Sequence, residues 1–151
     1  MLCKDEKGQV LYLTAMGMLV LMGFLGLGID MGVLRYEKRL LQSAADGAAI
    51  AAANNLAYVG ASPADAAQNA LPTNGFPGSS TLLQNQACPS SVNGLTVTVN
   101  NPPQSGQHTG NAYVEVCVAQ SQSTFFMRLF GVNNETVSAR AVAGTGAPGN
   151  G

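Results

Sequence analysis

The sequence predicts an α+β protein: a long N-terminal hydrophobic and then amphipathic helix, packed on a small antiparallel sheet with short helices. Three observations predict it. The run from Gly8 to Ile29 carries no charge and is mostly apolar, and a bilayer core of ~30 Å needs ~20 such residues as helix. That run passes without a proline into strong helix formers as far as Tyr58. Further on, several segments alternate apolar and polar residues with the period of two expected of strands.

Charge is sparse and unevenly placed. Only 10% of residues are charged, against roughly 25% in an average globular domain. Ten of the fifteen charges lie between Lys4 and Asp46, and from Val59 to Val114 the single charge is Asp65. A net charge of −1 offers no electrostatic footprint for nucleic acid. The downstream half draws its polarity from Asn, Gln, Ser, Thr and Gly, a composition suited to an extracellular or assembled surface.

The apolar run reads first as a membrane span. A secretory signal has an apolar core of about 7–15 residues followed by a small-x-small cleavage site, and this run is longer and continues into helix. A buried helix of a soluble protein is the third reading. Lys4 and Lys7 precede the run while Arg35, Lys38 and Arg39 follow it, so the positive-inside rule gives no orientation. The cysteines do. Cys88 and Cys117 flank strand-like sequence in a low-charge region and read as a disulfide, which needs an oxidising compartment; two unpaired buried thiols are the alternative. The disulfide reading puts residues beyond about 30 outside the cytoplasm and Cys3 inside.

Span and extension form one helix over residues 9–58, about 70 Å long at 1.5 Å per residue. In the extension, Val33, Tyr36, Leu40, Leu41, Ala44, Ala45, Ala48, Ala52 and Leu56 mark an apolar face at helical spacing. In the span, Gly28-x-x-x-Gly32, with Gly17, Gly23 and Gly26, matches the small-xxx-small pattern that lets helix backbones approach closely. A lone anchor with incidental glycines is the competing reading. The candidate helix-packing positions are therefore Gly17, Gly28, Gly32, Ala44, Ala48 and Ala52.

Beyond Gly60, Ser62 is an N-cap with Pro63 at the first helical position and Asp65 three residues after the cap. That helix stops before Pro72. A short strand is expected over 81–86. "LTVTVN" (95–100), "AYVEVCVAQ" (112–120) and "ETVSARAVAG" (135–144) alternate as strands, the last with a face of Val137, Ala139, Ala141 and Ala143 small enough to lie directly under a helix. "STFFMRLFG" reads as a short amphipathic helix ending at Gly131. Asn134-Glu135-Thr136 is a formal glycosylation triplet read here as the turn into the last strand. His108 stands in a polar loop with no partner to make it a base. "GFLGLG" does not fit the dinucleotide pattern and lies inside the span. No cofactor, metal site or catalytic group is expected.

The segment from Gly8 to Ala53 resembles the N-terminal part of TadE/TadG-like proteins associated with Tad (Flp) pili. The residues that carry the resemblance are Gly8-Gln9, the apolar span, Asp30-x-Gly32, Arg39-Leu40-Leu41-Gln42 and Ala44-Ala45-Asp46-Gly47-Ala48-Ala49. They cover about a third of the chain. "ADAAQNALPTNG", "LTVTV", "FFMRLFG" and "VSARAVA" match the C-terminal arrangement more loosely. The resemblance implies a bacterial envelope protein of pilin-like layout that builds or forms part of a surface filament, without enzymatic activity. It implies partners too: further copies of the chain, other pilus components, and the membrane at least before assembly.

The sequence departs from processed type IV prepilins, which are cut after a glycine and carry a glutamate at the fifth mature position. Cutting after Gly8 would place Leu13 there, which argues against such processing. Asp30, Arg35, Glu37, Lys38, Arg39 and Asp46 are the concentrated charges left to form inter-subunit or helix-surface pairs; a solvated helix face is the equally weighted alternative.

The expected organisation is a cytoplasmic segment 1–8, a helix 9–58 (9–29 in the membrane or a filament core, 30–58 outside), an extracytoplasmic α+β domain 59–144 and a tail 145–151. A monomeric membrane-anchored envelope domain that binds a partner or ligand is the alternative to a filament component.

Overall fold

The computed structural model describes residues 6–60, 62–76 and 80–146. Cys3 and most of the expected cytoplasmic segment and C-terminal tail lie outside these residues.

Helix α1 runs unbroken from Glu6 to Asn54 and continues as a π-helical turn over Asn55–Val59. The absence of proline and the density of Leu, Met, Ala, Glu, Lys and Arg account for its length. It ends where Gly60 takes a left-handed conformation, φ +67°, and its N–H donates to the Asn55 carbonyl. Helix α2 spans Pro63–Ala70, with the Ser62 side chain accepting from the Asp65 N–H. A 3₁₀ turn over Pro72–Asn74 closes on Gly75, φ +87°.

Four strands follow, β1 (Thr81–Gln84), β2 (Leu95–Asn100), β3 (Tyr113–Ser123) and β4 (Asn134–Gly144), in the spatial order β1-β2-β3-β4. β2–β3 and β3–β4 are antiparallel, but β1 runs parallel to β2. The sheet is therefore mixed rather than antiparallel throughout. A parallel neighbour needs a crossover instead of a tight hairpin, and residues 85–94 provide it as a loop. The segment expected to be a short amphipathic helix is a 3₁₀ turn, Met127–Phe130, capped by Gly131 at φ +86°.

The core lies between α1 and one sheet face. Register places Val97 opposite Val118 and Val118 opposite Ala139; it also places Val99 opposite Val116 and Val116 opposite Ala141. All six are buried. Over them lie Leu41, Ala44, Ala45, Ala48, Ala49 and Ala52, each at most 1% exposed. Alanine gives α1 no bulk at this contact, so helix and sheet pack closely. Gly47 admits α1's other neighbour, because a Cβ there would come 2.8 Å from the Asn74 side-chain nitrogen. The buried stripe also takes in half-buried Leu34. Tyr36 and Leu40, expected on it, are 61% and 37% exposed. At 100° per residue they turn away from the face that 34, 41, 45, 48 and 52 share.

The opposite sheet face is covered as well, by loops. Thr96, Thr98, Asn100, Glu115 and Cys117 project there and are all buried. Cys88 in the crossover is joined to Cys117 on β3, with Cα atoms 5.7 Å apart. The Asn100 side chain meets both backbone groups of Gln86, accepting from its N–H at 3.0 Å and donating to its carbonyl at 2.9 Å. This second layer explains why β2 and β3 are buried along both faces despite their alternating sequence.

Candidate functional site

The outer half of α1 is committed to its own domain, and the inner half is bare. From Val10 to Ile29 every Leu, Val, Ile, Met, Phe and Tyr side chain is exposed except half-buried Leu27. It is the one helix among the described residues long and apolar enough to cross a membrane. Gly17 and Gly28 lie on this part of α1 and Gly32 just beyond it, and a Cβ at any of them would meet nothing within 4 Å. They leave the helix backbone open to a close neighbour, and no neighbour from the same chain fills the space.

Ala44, Ala48 and Ala52 are placed differently. Each is 0% exposed under the sheet and α2. Their small size serves packing within the subunit, and no surface remains on them for a second helix.

The junction between bare and covered halves is built on Asp30. Its side chain is 2% exposed, and its carboxylate accepts the backbone N–H groups of Phe125 (2.9 Å), Phe126 (2.8 Å) and Met127 (2.6 Å). Those N–H groups open the 3₁₀ turn of Met127–Phe130, where donors have no partner inside the turn. A carboxylate offers enough lone pairs for all three. One helical turn below, Gly26 is buried, and a Cβ there would overlap the Phe126 ring. Thr124, 2% exposed, completes the junction by donating its hydroxyl to the Val132 carbonyl and its N–H to the Asn133 carbonyl at 3.1 Å.

Asp30 thus stands apart from the other candidate inter-subunit charges, since its acceptor capacity is used within the chain. Arg35, Lys38 and Arg39 are exposed and Glu37 is half-buried. Asp46 is exposed and accepts from Gln42 Nε2 at 2.9 Å. Among the described residues the one ion pair is Arg140–Glu115, so the patch on α1 keeps its charges unpaired.

Glu115 anchors the second covering loop, residues 101–112. It is 3% exposed and accepts from the Arg140 Nε, the Gln104 N–H at 2.7 Å and the Asn100 side chain at 3.3 Å. Burial pushes its carboxyl up, but the Arg140 hydrogen bond, the Gln104 and Asn100 donors and the Arg140 charge outweigh this and hold its pKa below the usual glutamate value. His108, in the same loop, stacks on Tyr113 with ring centroids 4.7 Å apart. Among the described residues no group of three His, Cys, Asp or Glu side chains is arranged to hold a metal.

Sequence reasoning grouped Asp30 with the surface charges and Gly26 with the span's glycines, and so missed that both hold the turn. The available signal was the pairing of an acid at the end of an apolar run with a distant "TFFMRLFG" segment that lacks its own cap.

No curated protein and no solved structure matches the chain. Two family models do. The Flp pilus-assembly TadE/G-like model matches residues 8–55, the bare half of α1, the Asp30 junction and most of the alanine face. The Tad-like Flp pilus-assembly model matches residues 41–143, from the first fully buried leucine of α1 to the end of the sheet. The second match alone covers more than half of the sequence, and the chain belongs to the Tad-like Flp pilus-assembly family.

Proposed function

We propose that this chain is a structural, non-enzymatic subunit or assembly component of a Tad-type pilus, held in the membrane by residues 9–29 and carrying its domain on the extracytoplasmic side. It assembles with copies of itself or with other pilus components through the bare half of α1. The observation that carries this reading is the contrast along one helix: an apolar, glycine-bearing half, touched within the chain only by the 125–130 turn among the described residues, continues without a break into a half whose alanine face the domain covers. A helix that only anchored would need the span but not the rigid continuation. The disulfide between Cys88 and Cys117 suits the oxidising side of the membrane.

The test is fractionation with microscopy. Filaments sheared from cells that express the chain contain it by mass spectrometry, and Gly28→Leu removes it from them while the folded protein persists in the membrane. A chain absent from filaments, and monomeric in the membrane at native levels, would instead be a membrane-anchored binding domain.

A further inference from the structure

The turn held by Asp30 descends along α1. Leu129 and Phe130 share an apolar groove with Met16, Leu19, Gly23 and Phe24 of the helix. These helix residues lie on the order of 10 Å or more N-terminal to Asp30 along the axis, at 1.5 Å per residue. The turn therefore stands beside the uncharged stretch and not above it.

Its surface is unlike that of a solvated loop. Phe125, Leu129 and Phe130 are 66%, 82% and 72% exposed, so three large apolar side chains project outward next to the apolar run. Its backbone is unlike one as well. The N–H groups of Thr124, Phe125, Phe126, Met127, Leu129, Gly131 and Val132 all donate within the chain, three of them to Asp30. Non-helical backbone survives at membrane depth only when its polar groups are satisfied internally. Seven donors of the turn are thus satisfied without water, which suits a backbone lying against lipid. Arg128 is exposed, and its long side chain suits reaching from apolar surroundings to the phosphate level.

We infer that the Phe125–Phe130 turn is a second membrane-inserting element, which places Phe125, Leu129 and Phe130 among the acyl chains of the outward-facing leaflet beside the subunit's own span. The apolar surface of the turn continues that of the span, and this continuity selects lipid over a soluble partner. The inference rests on reading residues 9–29 as membrane-embedded. It gives the domain a fixed depth and tilt on the membrane, with Asp30 as the latch that keeps the turn down.

The chain contains no tryptophan, so single tryptophans report position. Full-length Leu129→Trp and Phe130→Trp would be placed in phosphatidylcholine–phosphatidylglycerol vesicles carrying doxyl-labelled lipid, with the label shallow in one set and deep in another, and quenching in either set is scored. Leu21→Trp in the span and Ile50→Trp on the outer helix serve as references. All four positions are exposed, so none of the substitutions disturbs the core. The expected result is loss of fluorescence in both turn variants to the extent seen with Leu21→Trp and not with Ile50→Trp. If Leu21→Trp is quenched and the turn variants behave like Ile50→Trp, the inserted turn is wrong and the membrane span stands. If Leu21→Trp is not quenched, the span reading falls and the inference with it. Quenching of the turn variants that disappears as the protein-to-lipid ratio rises would assign the surface to a second copy of the chain and overturn the lipid assignment.

Discussion

The Phe126 N–H donates to the Asp30 Oδ2 at 2.8 Å across a sequence separation of 96 residues. This bond, with its neighbours from Phe125 and Met127, ties the far end of the domain to the point where α1 leaves its uncharged stretch. Asp30→Asn replaces one acceptor oxygen with a donor, and at least one of the three N–H groups then loses its partner. Amide hydrogen exchange at 125–127 is expected to quicken by about tenfold or more, while exchange in β3 and β4 is unchanged. Equal protection in wild type and variant would show that the carboxylate does not hold the turn.

Gly26 and Gly28 are two residues apart and should respond oppositely to a larger side chain. Gly26→Leu must expel the Phe126 ring, because even a Cβ overlaps it. The turn should loosen as it does in Asp30→Asn. Gly28→Leu meets nothing within 4 Å and should leave thermal stability within about 0.5 kcal/mol while abolishing incorporation into filaments. Loss of stability in Gly28→Leu would place that face against the subunit's own domain.

Ala48→Leu adds bulk where α1 meets the sheet. Ala48 is 0% exposed, and overpacking a filled core costs about 1–3 kcal/mol. The variant should melt earlier in detergent, before any question of assembly arises. An unchanged melting temperature, with only assembly lost, would mean that this alanine faces another subunit.

The Cys88–Cys117 link closes a 29-residue separation and fastens the crossover loop over β3. Replacing both cysteines by serine should cost about 2–4 kcal/mol, seen as a lower denaturation midpoint. Non-reducing mass spectrometry of material from the cell surface should find the two peptides joined. Free thiols at both positions in that material would contradict the link.

Glu115 sets an acid limit. Its folded pKa is depressed, so its stabilising contribution is complete above its unfolded pKa, about 4.3, and is lost as pH falls through the lower folded value. Thermal melts should show wild type ahead of Glu115→Gln at neutral pH, with the gap closing below about pH 4. Arg140→Ala removes the paired cation and should cost about 2 kcal/mol at neutral pH. A gap between wild type and Glu115→Gln that does not change with pH would show that the carboxyl is not ionised in the fold.

What the sequence determined by itself was local. The proline-free run to Tyr58 sets α1, Ser62-Pro63 starts α2, and the alternating segments become β2, β3 and β4 because each pattern is written within a few residues. The alanines of α1 and of β4 also announced a close helix–sheet contact, since small side chains on two faces permit one. Only the tertiary structure decided what depends on residues far apart in the chain. The direction of β1 follows from a crossover loop stapled to β3, not from the composition of "TLLQ". Burial of both sheet faces follows from loops 85–94 and 101–112, whose polar sequences carry no periodicity. Asp30 looked like one more charge beside a span. It became a latch when folding brought three uncapped N–H groups within hydrogen-bonding reach, because an acceptor's role depends on the donors that surround it and not on its place in the chain.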